Sequence, residues 1–158
     1  MSELLITPKL FDQILKAEGN VLGLATADVD DSLLQFRQLA VRSGQSVYLW
    51  TPENGISSMR ETDVHVPGSR RLADALRFIL QSLHFGVYLF TQFEEQLKPP
   101  ATSLLRRIAR IRTGNERKLL FVASALQFPD DIDSLVERVS PSMGGSFRPR
   151  LRDGRWVT

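Results

Sequence analysis

Two adjacent acids, Glu94 and Glu95, follow a short apolar run, Val87-Tyr88-Leu89-Phe90, in the stretch GVYLFTQFEEQL. Carboxylates delivered past the end of a buried strand can hold magnesium and polarise water, the chemistry of nucleotide hydrolysis. That chemistry needs a second part. Glycines must let backbone N–H groups surround the phosphates, a lysine must neutralise them, and a hydroxyl must reach the magnesium. The first apolar strand pattern, VLGLATA, should be followed by that loop. It leads instead through Thr26 and Ala27 to Asp28-Val29-Asp30-Asp31. Three carboxylates stand where phosphate would sit, and the chain contains no Gly-Lys dipeptide. No nucleotide cofactor, no metal and no catalytic residue are therefore expected. Glu94 and Glu95 are then first-turn helix acids or solvated loop residues, and Asp30 or Asp31 is expected to cap the following helix.

Other chemistries lack their residues. The two histidines, His65 and His84, belong to no H-E-x-x-H motif, and His84 is expected at a helix end in a structural role. Neither G-x-S-x-G nor G-x-G-x-x-G occurs. The chain has no cysteine, which rules out disulfides, thiolate catalysis and cysteine-bound zinc, and fits a cytoplasmic protein.

What remains is arginine: 16 against 4 lysines, so the cationic surface is built mainly from planar forks suited to carboxylate and phosphate. One cluster, Arg106, Arg107, Arg110 and Arg112, lies on a helical pattern. Its first three members are the candidate contact face for a protein partner or a second copy. The other cluster lies in the tail, where Arg150 and Asp153 form an R-x-x-D pattern able to grip cyclic di-GMP through guanine edges. The same pattern recurs at Arg60–Asp63 and at Arg71–Asp74, and the second lies in a predicted helix, where its spacing also suits an ordinary ion pair. A net charge of +2 without a basic stripe argues against nucleic acid as partner.

The elements that must position these residues alternate. Apolar helical stripes are predicted over 8–17, 32–43, 70–83 (opened by Gly68 or Ser69) and 101–112, with strands at 21–27, 46–50, 86–93 and 118–123. Residues 56–67 have no clear period and read as a loop able to hold a short strand. Pro129-Asp130-Asp131 starts a further helix, and 135–139 either continues it or forms a strand. Such alternation predicts an α/β fold, a three-layer αβα sandwich with a mainly parallel sheet. Trp50 and Tyr88 are expected in its core. Ligands of such sheets sit at the carboxyl ends of the strands, here 26–31, 51–54, 91–95 and 124–127. With 158 residues the chain holds one domain, expected over 1–140, and a Gly/Pro-broken basic tail over 141–158. No apolar run is long enough to cross a membrane, and the N-terminus lacks the pattern of a signal peptide.

Two stretches carry a family likeness. "LFTQFEEQLKPPATSLLRRIARIRTGNERKLLFVASALQFPDDIDSLV" resembles the N-terminal domain of AAA ATPases found in cyanobacteria, plastids and other bacteria. The match rests on Phe93, Leu97, Leu104-Leu105-Arg106-Arg107, Ser124 and Phe128-Pro129. Upstream, "DDSLLQFRQLAVRSGQSVYLWTPENGI" matches at Asp31, Arg37, Ala40, Gly44, Tyr48, Trp50 and Gly55. The resemblance spans 21–139. It implies a degenerate RecA-like, P-loop NTPase-type domain without a working phosphate loop, acting as a regulatory or interaction module in bacteria. It also puts Ser124 where AAA-type ATPases carry a sensor residue, although with no nucleotide to sense a turn or capping serine is the simpler reading. A fainter similarity is to NTPase-like domains of secretion and cellulose-export regulators that respond to cyclic di-GMP.

Overall fold

The computed structural model describes residues 6–82, 85–111 and 117–140. Its helices are α1 (Pro8–Lys16), α2 (Val29–Ser43), α3 (Leu72–Gln81), α4 (Ala101–Ala109) and the single turn α5 (Asp130–Asp133). Its strands are β1 (Val21–Ala25), β2 (Val47–Thr51), β3 (Gly55–Ser58), β4 (Gly86–Phe90), β5 (Arg117–Ala123) and β6 (Glu137–Val139). The strands form one sheet in the order β3-β2-β4-β5-β1-β6. β3 is antiparallel to β2, and the other neighbours are parallel.

The pleat sends alternate residues to two separate cores. From β4, Val87 and Leu89 point into one with Leu120 and Val122, covered by Leu10, Phe11 and Ile14 of α1 and Phe36 and Leu39 of α2. Tyr88 and Phe90 point into the other with Leu119 and Phe121, covered by Leu72, Leu76 and Ile79 of α3 and Leu104, Leu105 and Ile108 of α4. This is the three-layer sandwich that the alternating pattern predicts.

One row crosses the second core in register. Trp50 pairs with Phe90, Phe90 with Phe121, and Phe121 with Gly23. The Phe90 and Phe121 rings stack at 4.8 Å between centroids, and Phe93 meets Phe121 edge-on at 4.8 Å. Trp50 is 1 % exposed, and its indole N–H donates to the Ser69 carbonyl at 2.8 Å. The row ends at Gly23 because a Cβ there would lie 3.0 Å from Leu126 and 3.1 Å from Val136.

Local details refine or change the expectations. The stretch after β2 is a hairpin: Gly55, at φ +70°, opens β3. Residues 64–66 then return along β3, with Ser58 N–H donating to Val64 and Val66 N–H to Ile56. Ser69 does not cap α3. Its hydroxyl accepts from the Ile56 N–H at 2.9 Å and donates to the Val66 carbonyl, so it ties the hairpin down. α4 ends at Ala109, and Arg110 is its C-cap. Asn20 holds that end, donating to the Ile108 and Ile111 carbonyls at 3.0 and 2.8 Å.

Lys118 enters at the other end of the sheet, 1 % exposed, its ammonium donating to the carbonyls of Ala17 and, at 2.8 Å, Gly19. Burial lowers its pKa, with Glu137 acting in the opposite sense. Between the lowered native value and the ordinary 10.5, the unfolded chain holds a proton that the native chain has released, so stability rises with pH through that window. Lys118→Met should therefore cost about 1–3 kcal/mol near neutrality, by orphaning two carbonyls. It should also flatten the alkaline rise. Urea melts of both proteins at several pH values between 7 and 10 check both effects, and an unchanged alkaline slope would refute the assignment.

Candidate functional site

The carboxyl ends of the strands surround a cleft of about 320 Å³. Val29, Asp30 and Leu33 line it from α2, Thr51 from β2, Thr91, Gln92 and Glu94 from the end of β4, and Val122, Ala123 and Ser124 from β5. Four separated stretches of sequence thus meet where a parallel sheet offers its ligand edge. Glu94 reaches this cleft. Glu95, its neighbour in the 3₁₀ turn Glu94–Gln96, is not among the residues lining it. Both are exposed, and Phe93 before them is fully buried and anchors the turn. Gln92 takes φ +55°, which turns the chain sharply out of β4.

Chain direction explains the first loop. β1 hands over at Thr26, whose N–H donates to the Ala123 carbonyl at 2.9 Å. Two residues later Asp28 is extended, and its carboxylate accepts the Asp31 N–H at 3.0 Å. The helix cap is thus Asp28 rather than Asp30 or Asp31, which both lie in the first turn of α2. Asp31 in turn accepts from Gln35 at 2.8 Å, and the buried Gln35 accepts the Ile6 N–H at 2.8 Å. Thr26 and Ser32 share a buried hydroxyl–hydroxyl bond at 2.9 Å. The start of α2 is thus held by its own side chains. Among the described residues, no group of three or more histidines and carboxylates could hold a metal ion.

The basic residues gather elsewhere. His65, Arg70 and Arg71 line a hollow of about 480 Å³ beside the hairpin, and Arg71, Arg77 and Lys98 line a neighbouring one of about 450 Å³. Asp74, on the edge of both, is paired with Arg77 at 2.8 Å. Arg60 donates to the Gly44 carbonyl. Arg106 is committed to Asp131 of α5 and to the Ser103 hydroxyl at 3.2 Å, whereas Arg107 and Arg110 are exposed. His84, Arg112 and the whole tail with Arg150 and Asp153 lie outside the described residues.

Sheet order and flanking helices define the class: a RecA-like α/β domain of the P-loop type, with Asp28, Asp30 and Asp31 at the cap and first turn of the helix that follows β1. The chain belongs to the family described as SpoVK-like AAA ATPase, N-terminal domain, whose model matches residues 7–140. No curated protein and no solved structure matches it. No described helix is long and apolar enough to cross a membrane.

Proposed function

We propose that this chain is a non-catalytic, degenerate NTPase-like domain that acts in the bacterial cytoplasm as a regulatory interaction module, binding a protein partner or a second copy of itself. One observation carries the reading. At the start of α2, where a phosphate would be met by backbone N–H groups, the Asp28 carboxylate accepts the Asp31 N–H, with two more carboxylates in the same turn. An incoming triphosphate would meet charge of its own sign in place of a cradle. The surface, by contrast, is rich in arginine, and the exposed Arg107 and Arg110 at the end of α4 are candidates for contact with a partner.

Calorimetry with Mg-ATP and Mg-GTP at millimolar concentration should show no specific heat. One-to-one binding with a micromolar dissociation constant would overturn the non-catalytic reading. Sedimentation and pull-down of wild type against Arg107→Glu/Arg110→Glu address the interaction. An unchanged assembly state and an unchanged set of partners would remove that face from it.

A further inference from the structure

We propose that the cleft at the carboxyl edge of the sheet binds the guanidinium of an arginine side chain presented by a protein partner. This deepens the interaction reading given above and rests on it. The first observation is charge. In a chain with 20 lysines and arginines, the lining of this cleft includes none of them, while it includes two carboxylates, Asp30 from α2 and Glu94 from the exit of β4. The other two hollows carry arginine or lysine beside Asp74, so among the three only this cleft has carboxylates and no basic residue in its lining.

The second observation is independent of charge. Thr91 lines the cleft and is only 4 % exposed, and among the described residues its hydroxyl has no hydrogen-bond partner. That oxygen is not among the buried side-chain atoms left without a partner, so it opens to the cleft, where a ligand or solvent meets it. The cleft also holds the two carboxylates and the hydroxyls of Ser124 and of Thr51, which already accepts the Asn54 N–H at 3.2 Å.

A guanidinium supplies what these groups lack. It carries five N–H donors in a plane, no acceptor and a fixed positive charge, and it pairs with carboxylates through parallel bonds. Val29, Leu33, Val122 and Ala123 give the cleft an apolar part of its lining, which suits the methylene stem of the same side chain. The positive end of α2 opposes a cation with about half a charge. Asp28, Asp30 and Asp31 in its cap and first turn outweigh it.

The test uses the full chain, labelled with ¹⁵N, and two capped tripeptides, acetyl-Gly-Arg-Gly-amide and its citrulline analogue, which keeps the shape and removes the charge. The arginine peptide should give saturable amide shifts at Asp30, Thr91, Gln92, Glu94 and Ser124. Citrulline, or Asp30→Asn/Glu94→Gln in the protein, should weaken binding by about tenfold or more. Thr91→Val should weaken it several-fold with the amide spectrum otherwise preserved. Equal binding of the citrulline peptide, shifts centred on another acidic surface such as α5, or wild-type affinity in both variants would each overturn the assignment. Mg-ATP in the same experiment separates the two readings. Silence from both ligands overturns the arginine site alone, whereas saturable shifts with Mg-ATP overturn the non-catalytic reading as well.

Discussion

Phe121→Ala should lose about 3–5 kcal/mol of unfolding free energy, the range for removing a buried phenylalanine ring. Phe121 is fully buried at the centre of the second core. Its ring touches three others: Phe90 stacked at 4.8 Å, Phe93 edge-on at 4.8 Å and Phe128 edge-on at 5.8 Å. Truncation would remove one partner from each contact at once. The cavity is hard to fill by collapse, because strands on both sides fix the backbone and its register partner on β1 is a glycine. Domains of this size have about 5–15 kcal/mol in all, so the variant should sit close to unfolding. Urea denaturation measures it. A loss below about 1.5 kcal/mol would show that the aromatic row is not the keystone of this face.

Leu89→Ala should cost about 2–5 kcal/mol in the opposite core, where the side chain is fully buried under α1 and α2. The informative comparison lies five residues on. Changing both Glu94 and Glu95 to Gln should leave stability almost unchanged. Acids in a helix's first turn contribute about 0.3–1 kcal/mol each, and these are exposed on a three-residue turn where water screens them. Denaturation of the two variants side by side decides the matter. A larger loss from the glutamate pair than from Leu89→Ala would mean that these acids carry structural weight that the contacts do not show.

The sandwich was legible because burial is periodic. The stripes of α1, α3 and α4 and the apolar runs of β1, β2, β4 and β5 each announce their element. β3 was legible only as a short strand within a loop, because a four-residue edge strand reading Gly-Ile-Ser-Ser has one large apolar residue, and its pairing is with β2 through a turn. Ser69 misled for a related reason. Locally it is a good helix cap, but its hydroxyl is taken by the hairpin. The cap of α2 was placed two or three residues late, since Asp28, Asp30 and Asp31 are equally suitable in isolation. Only the hydrogen bond that holds Thr26 to Ala123 fixes where the chain is free to turn. The rule of strand carboxyl ends brought Asp30, Thr51, Thr91, Glu94 and Ser124 to one edge. It could not say that Thr91 would be nearly buried or that Glu95 would be left outside, because both depend on the turn at Gln92. Nor could it find the partner of Arg106, since Asp131 lies on another element.

The sheet order also sets a timetable for synthesis. β1 leaves the ribosome well before both strands that flank it, β5 and β6, which are encoded roughly a hundred residues later. At about 5–20 residues per second, the ribbon Val21–Ala25 waits on the order of 5–20 s before its first neighbour exists. Throughout that interval its backbone amides and apolar side chains are open to any other strand nearby, on a sister chain of the same polysome or on a chaperone. Until both flanking strands have been made, β1 stays without its neighbours, and this part of the sheet is complete only when β5 and β6 close on either side of it.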